Sequence, residues 1–367
     1  MTRVAFLFGG AAAVAAALIL YRRRKLERKK ITFFQFNVLC DSSAPGCIDE
    51  SMREYCDAAD LKWHARCMAI AAKVQASADV AFLEEVLPSM FDDLKDALHA
   101  DFDAWHSSEF FADEAEHVEG QEIALFVRRA TTAVVGAPRC SRLVTLAESD
   151  AERRLLLLPS QPGDCPPQNY TVLTAAIKRH GWSPDECIVV GGVHLRWEFG
   201  DMPAARGKPV QALCAGRALL AHAQSSDAAG VALAGDFNSW PSHGACTVLK
   251  HGLPELDPEH PGGGCKALGL SPVWDGRFVG EFATLRSAHE QVHGAEPRFT
   301  RKKDTTASQF CLDYIFVGGS ALRAVKADFG PGPRPYAPDG DGSDLPHLPC
   351  AAWPSDHLPL AVDLILS

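Results

Sequence analysis

The stretch VALAGDFNSWP, residues 231–241, decides how this chain is read. Five small or apolar residues lead into Asp236 and Asn238, and GD, NS and Pro241 then break the run. In an extended segment the side chains at i and i+2 share a face, so Asp236 and Asn238 emerge together at the end of a buried strand. A carboxylate beside an amide can hold a water for attack on phosphorus or bind a hard cation. The ordinary alternative is a turn, since Gly-Asp and Asn-Ser are common turn formers.

The same pattern recurs along the chain. ITFFQFNVL (31–39) reads as a strand with Asn37 near its end, and VAFLEEV (80–86) as a strand closing on Glu84 and Glu85. Adjacent strand residues face opposite ways, so one of these two glutamates is expected to point into a site. CIVVGGVHL (187–195) carries His194, CLDYIFV (311–317) places Asp313 among apolar neighbours, and Asp356 and His357 precede LAVDLIL (360–366). ALFVRR, LLLLP (155–159) and TVLTAAI are further strand candidates. Between strands, Leu61 to Ala76 reads as a helix, with Trp63, Cys67, Ile70 and Val74 at helical spacing. Strands interleaved with helices imply an α/β domain with layered sheets. Each polar residue has a bland reading of its own: a turn, a capping Ser-Asp, a satisfied structural histidine. Asn, Glu, His, Asp-x-Asn, Asp and Asp-His in order, each at a strand edge, are together the parts of a metal-assisted phosphoryl site.

Composition bounds the alternatives. The chain has 367 residues, 47% of them hydrophobic, and a net charge of −10, so it is not a disordered chain. Residues 1–30 hold eight basic residues and one acid, leaving 28 basic and 45 acidic residues in the body, a balance of −17. That excludes a broad basic nucleic-acid coat but not a local, metal-bridged phosphate site. Val4 to Tyr21 is an uncharged, Ala-rich apolar run followed by RRRKLERKK. It is expected to be a transmembrane helix, with residues 1–30 a membrane anchor and basic flank, and 31–367 a single catalytic domain facing the cytosol. The expected membrane is the mitochondrial outer membrane or the endoplasmic reticulum; a mitochondrial import segment is the competing reading. The twelve cysteines contain no CxxC pair or compact zinc cluster, and Cys187, Cys214 and Cys311 read as small buried side chains. Asn169-Tyr170-Thr171 fits a glycosylation sequon that matters only in a luminal body. Asp339 to Asp344 opens like a calcium loop but lacks its glycine and closing glutamate, and HPGGGCK (260–266) lacks the Gly-Lys-Ser/Thr of a phosphate loop.

FFQFNVLCD, LKWHAR, VAFLEEV, IALFV, VHLRW, GDFNSWPS, EPRFT, CLDYIFV and WPSDHLPL, taken as an ordered set, resemble the endonuclease/exonuclease/phosphatase superfamily. Within it the chain looks most like the deadenylase branch, which holds the carbon catabolite repressor deadenylases, nocturnin, the angel proteins and the 2′-phosphodiesterases. The resemblance implies a four-layer α/β sandwich, two packed mixed sheets flanked by helices. It implies that Glu85, helped by Asn37, binds Mg²⁺ (or Mn²⁺), and that Asp356 completes a second metal site. Asp236 would orient or deprotonate the attacking water, and Asn238 would position it. His357, oriented by Asp313, would contact the scissile phosphate, and His194 would stabilise the phosphorane or leaving oxygen. Trp197, Phe199, Trp240 and Phe310 are candidate stacking faces for a base. Four departures stand out: Glu84 where the family often has Gln, Gly192-Val193-His194 for Asn-Thr-His, Ser308 at a stacking aromatic, and Phe199 for a proline. The expected activity is Mg²⁺-dependent phosphodiester hydrolysis at RNA 3′ ends, deadenylase-like. The alternative is a phosphatase or phosphodiesterase for a small nucleotide, phosphoinositide or sphingomyelin-type substrate.

Overall fold

The computed structural model describes residues 29–41, 48, 50–111, 122–158, 170–183, 186–197, 207–251, 285–302, 309–330, 345 and 347–367. Fifteen strands run through them: β1 (Lys30–Asn37), β2 (Val80–Glu84), β3 (Phe102–His106), β4 (Ile123–Arg128), β5 (Thr132–Val134), β6 (Arg139–Arg142), β7 (Thr171–Arg179), β8 (Ile188–His194), β9 (Gly230–Asp236), β10 (Arg286–Ser287), β11 (Arg301–Lys302), β12 (Gln309–Phe310), β13 (Asp313–Gly318), β14 (Leu322–Asp328) and β15 (Leu360–Leu366). One sheet has the order β14-β15-β1-β2-β4-β3, the other β10-β13-β9-β8-β7-β5 with β6 also on β7. Both are mixed. The β1–β2 and β8–β9 pairs are parallel and their neighbours antiparallel. A small β11–β12 hairpin stands apart.

Side-chain alternation explains the layers. On β1, Ile31 and Phe33 point into a core shared with Val80, Phe82, Leu125, Leu173, Val190, Ala232 and Ile315, which lies between the two sheets. Phe34 and Phe36 point the other way, onto Cys67, Ile70 and Val74 of the helix α2 (Trp63–Ser77) and Phe91 and Leu94 of α3 (Pro88–Leu98), which follows α1 (Glu50–Tyr55) and α2 in the chain. Strands buried on both faces read as continuous apolar runs, as these do. Behind the second sheet, Val189, Val231 and Leu233 pack on Leu213 and Leu219 of α5 (Lys208–Ser225) and Val248 of α6 (Gly244–His251). Gly192 sets how closely the sheets approach: a Cβ there would lie 2.2 Å from the Phe82 ring.

Two expectations are corrected. LLLLP is not a strand; Leu155 and Leu156 end the helix α4 (Asp150–Leu156). Ser149 caps this helix by accepting from the Glu152 amide at 3.1 Å. With Asp150 and Glu152 in the first turn, the local capping outweighs the apolar run. The second correction concerns the membrane. Among the described residues no helix is long and apolar enough to cross one, so the transmembrane helix, the anchor and the membrane localisation expected from Val4 to Tyr21 are not supported. The two mixed sheets stand without it. Residues 4–21, the Asn169 sequon, 260–266, 339–344, Phe199 and Ser308 lie outside the described residues.

Candidate active site

Strand ends from both sheets meet at one edge. Asn37 closes β1, and its register partner Glu84 closes the adjacent β2. In the second sheet Asp236 at the end of β9 is flanked on one side by His194 of β8 and on the other by Asp313, the first residue of β13. The segment before β15 brings in Ser355, Asp356 and His357. All of these side chains are almost fully excluded from solvent, and Glu85, which follows Glu84, is half-buried.

The Glu84-Glu85 ambiguity is resolved by the backbone. Glu84 ends the strand and points inward, where it accepts from Gln35 Nε2 at 2.9 Å. Glu85 takes φ +60°, a left-handed conformation costly for a residue with a Cβ. That turn breaks the alternation and carries its carboxylate to Asn37, whose Nδ2 donates to Glu85 Oε1 at 2.8 Å and to Asp236 Oδ2 at 3.1 Å. The Cys40 amide donates to Glu85 Oε2 at 3.0 Å. Asn238 also has positive φ, +45°. Its backbone amide donates to Asp236 Oδ1 at 2.7 Å, and its Nδ2 reaches the Leu195 carbonyl at 2.9 Å and His194 Nε2 at 3.2 Å.

Two imidazoles bracket Asp236, each with Nε2 at 3.7 Å from Oδ2. His357 Nδ1 is bonded to Asp313 Oδ2 at 2.8 Å. Thr300 Oγ1 donates to the same oxygen at 2.6 Å, and Gln35 Nε2 donates to Oδ1 at 2.8 Å. His194 is held less completely: its buried Nδ1 has no hydrogen-bond partner, at the position where the sequence lacks the usual Asn-Thr lead-in.

Electrostatics follow from this crowding. Burial opposes charge on His357, but Asp313, Asp356 and Asp236 override it and raise the ring to about 10, so it is an imidazolium at neutral pH. Burial, then Asp313, raises Asp236, with the two histidines opposing. Burial, with Asp313 beside it, holds Glu84 well above the usual carboxylate range. Asp236, Asp313 and His357 have ligand atoms within 4.8 Å of one another. His357 already bonds Asp313 through Nδ1, and a hard cation prefers oxygen ligands to imidazole. The oxygen donors that suit a hard cation are the Glu85 and Asp236 carboxylates, held together by Asn37 Nδ2, which donates to both, while Asn37 Oδ1 accepts from the Leu39 amide at 3.0 Å. Asp356 is placed differently from expectation. Its carboxylate accepts from Arg301 Nε at 3.0 Å, and it raises that guanidinium against the effect of burial.

Of the candidate stacking residues, Trp197 is 52% and Trp240 42% exposed. Trp240 and Phe310 stack on each other, ring centres 6.0 Å apart and 12° from parallel, and Phe310 pairs with Arg301 across the β11–β12 hairpin. Several residues of the site were not singled out from the sequence. Ser355 Oγ donates to the Asn37 carbonyl at 2.7 Å. Arg66 Nη1 ties the Val38 and Leu39 carbonyls, at 2.8 and 2.9 Å, to that of Pro354 at 3.3 Å. Thr300, Arg66 and Ser355 stood inside the quoted EPRFT, LKWHAR and PSDH stretches, while Gln35 was visible only as a polar residue in an apolar run.

A family model described as the Endonuclease/Exonuclease/phosphatase family matches residues 34–357. Among curated proteins, no relative matches the chain significantly in sequence. Solved structures share the fold. ANGEL2, described as a 2′,3′-cyclic phosphatase and bound to adenosine-2′,3′-vanadate, has a TM-score of 0.61 at 15% identity, over 92% of this chain and 96% of its own. The human nocturnin catalytic domain with bound sulfate has 0.54 at 16%, over 93% and 96%. A Bacteroides thetaiotaomicron mannosyl-6-phosphatase has 0.55 at 16%, over 91% and 99%.

Proposed function

The chain belongs to the Endonuclease/Exonuclease/phosphatase family and is a metal-dependent phosphoric ester hydrolase; from that premise we propose that it is a Mg²⁺-dependent phosphodiesterase acting on RNA 3′ ends. The observation that carries this reading is Asp236, buried between two imidazoles and joined through Asn37 to Glu85. Glu85 and Asp236, tied together by Asn37, would hold the cation, which would supply Lewis-acid polarisation of a phosphoryl oxygen. Asp236 accepts the proton of the attacking water, and Asn238, fixed to Asp236 and the Leu195 carbonyl, positions that water. His357 presents its Nε2 proton to a phosphate oxygen while Asp313 keeps the ring charged. His194 serves the opposite side of the developing charge. Residues 31–367 act as one catalytic unit. Trp240 and Phe310 present an aromatic face to the terminal base.

ANGEL2 and nocturnin, by their descriptions a 2′,3′-cyclic phosphatase and a sulfate-bound catalytic domain, support phosphoester chemistry on this fold. A second reading, a small nucleotide, phosphoinositide or sphingomyelin-type substrate, is favoured by the −17 charge of residues 31–367, which disfavours a long RNA track. The test is one panel with Mg²⁺: 3′-poly(A), 2′-5′ oligoadenylate, adenosine-2′,3′-cyclic phosphate, NADPH, phosphoinositides and sphingomyelin, each with wild type, Asp236→Ala and EDTA. Preference for 3′-poly(A), lost in Asp236→Ala and with EDTA, is expected. Preference for a small substrate replaces the first reading by the second.

A further inference from the structure

β1 places Phe33, Gln35 and Asn37 on one face. Phe33 faces the apolar core between the sheets and Asn37 faces the site, so Gln35 is an amide where the fold by itself asks for a hydrocarbon. It is fully buried. Both hydrogens of its amide nitrogen are used, one toward Glu84 Oε2 at 2.9 Å and one toward Asp313 Oδ1 at 2.8 Å. The second bond crosses from one sheet to the other and from residue 35 to residue 313. It supplies Oδ1 of Asp313, while Thr300 and His357 engage Oδ2. An Asp carboxylate rotates about its terminal bond unless both oxygens are engaged, and its orientation decides where the His357 ring is held.

We propose that Gln35 is a positioning residue for hydrolysis: it locks the Asp313 carboxylate from the opposite sheet, and through it the orientation of His357. The inference rests on the hydrolase reading of this site, and it concerns a residue that touches neither water nor phosphate. Glu84 is the anchor that fixes the amide of Gln35 in this orientation.

The test uses the full chain. Gln35→Met keeps length and burial but removes both donors. Its kcat on 3′-poly(A) should fall by about 10- to 100-fold with KM changed less than about twofold. In ¹⁵N-edited spectra of the metal-free protein, the His357 Nδ1 proton should shift or broaden. Glu84→Gln still offers Gln35 an amide oxygen, and should keep kcat within about threefold and leave the His357 resonance in place. Gln35→Asn, one methylene short of Asp313, repeats the Gln35→Met result if the latter fails to fold. An unchanged His357 resonance with wild-type kcat in Gln35→Met or Gln35→Asn overturns the proposal, as does an equal loss in Glu84→Gln. A wild-type protein inert toward every phosphoester defeats the hydrolase reading alone, because the His357 spectrum needs no substrate.

Discussion

Replacing Gly235 by alanine tests how tightly the strand geometry holds the site. Gly235 has φ +150° and lies directly opposite Val193 in the parallel β8–β9 pair. A Cβ there would sit 1.9 Å from the Val193 carbonyl oxygen and 2.9 Å from its carbonyl carbon. The obstacle is backbone in a neighbouring strand, so no rotamer relieves it, and the strands must part by more than about 1 Å to reach an ordinary contact. Parting them costs one or two ladder hydrogen bonds, about 1 kcal/mol each, and the strained φ adds about 1–3 kcal/mol, giving about 2–5 kcal/mol. The next register pair is His194 with Asp236, so the displacement reaches the site, where a 1 Å misplacement costs about 100-fold in rate. Urea melts and kcat on the best panel substrate measure both. Gly136→Ala is the control: φ is +73° there but nothing lies within 4 Å of the new Cβ, so about 1–2 kcal/mol is lost and kcat is kept. A Gly235→Ala protein that melts within about 0.5 kcal/mol of wild type, or keeps full kcat, refutes the reasoning.

Trp240→Ala should raise KM for oligoadenylate by roughly 5- to 100-fold, the usual worth of a stacked base, and leave a base-free phosphodiester unaffected; equal losses on both substrates would remove the stacking role. Glu152 is fully buried and takes both Arg217 Nη1 and Nη2, at 2.8 and 3.0 Å. Glu152→Ala leaves that buried cation only the more exposed Glu148, 3.4 Å from its Nη2, and should cost about 3 kcal/mol in a urea melt, while Arg217→Met with Glu152→Leu should recover most of it. Burial, with Arg139 adding to it, lowers buried His222 to about 4, and its Nδ1 lies 2.9 Å from Thr174 Oγ1. The unfolded chain therefore takes a proton that the folded chain refuses. Stability is full above about pH 6.5, falls as pH drops toward about 4 and is level below that, a loss of about 3 kcal/mol. His222→Gln should flatten this part of the profile, and an unchanged slope would locate the acid sensitivity elsewhere.

Alternation and strand ends are local properties, and they were legible in the sequence. Apolar runs ending in Asn37, Asp236-Phe-Asn238 and His194, and Asp313 within CLDYIFV, located the strand edges that converge in space. Where a local signal competed with another, sequence alone misjudged: LLLLP has a strand's composition, but its first two leucines, Leu155 and Leu156, end a helix that Ser149 caps. What depends on partners distant in the chain was decided only by folding. The φ of +60° at Glu85 selects which of two adjacent glutamates meets Asn37. Arg301 takes up Asp356 across 55 residues, and Gln35 reaches Asp313 across 278. A pattern of residue types can show that a buried carboxylate needs a donor; which side chain supplies it is set by the packing of two sheets, a contact that no local periodicity encodes.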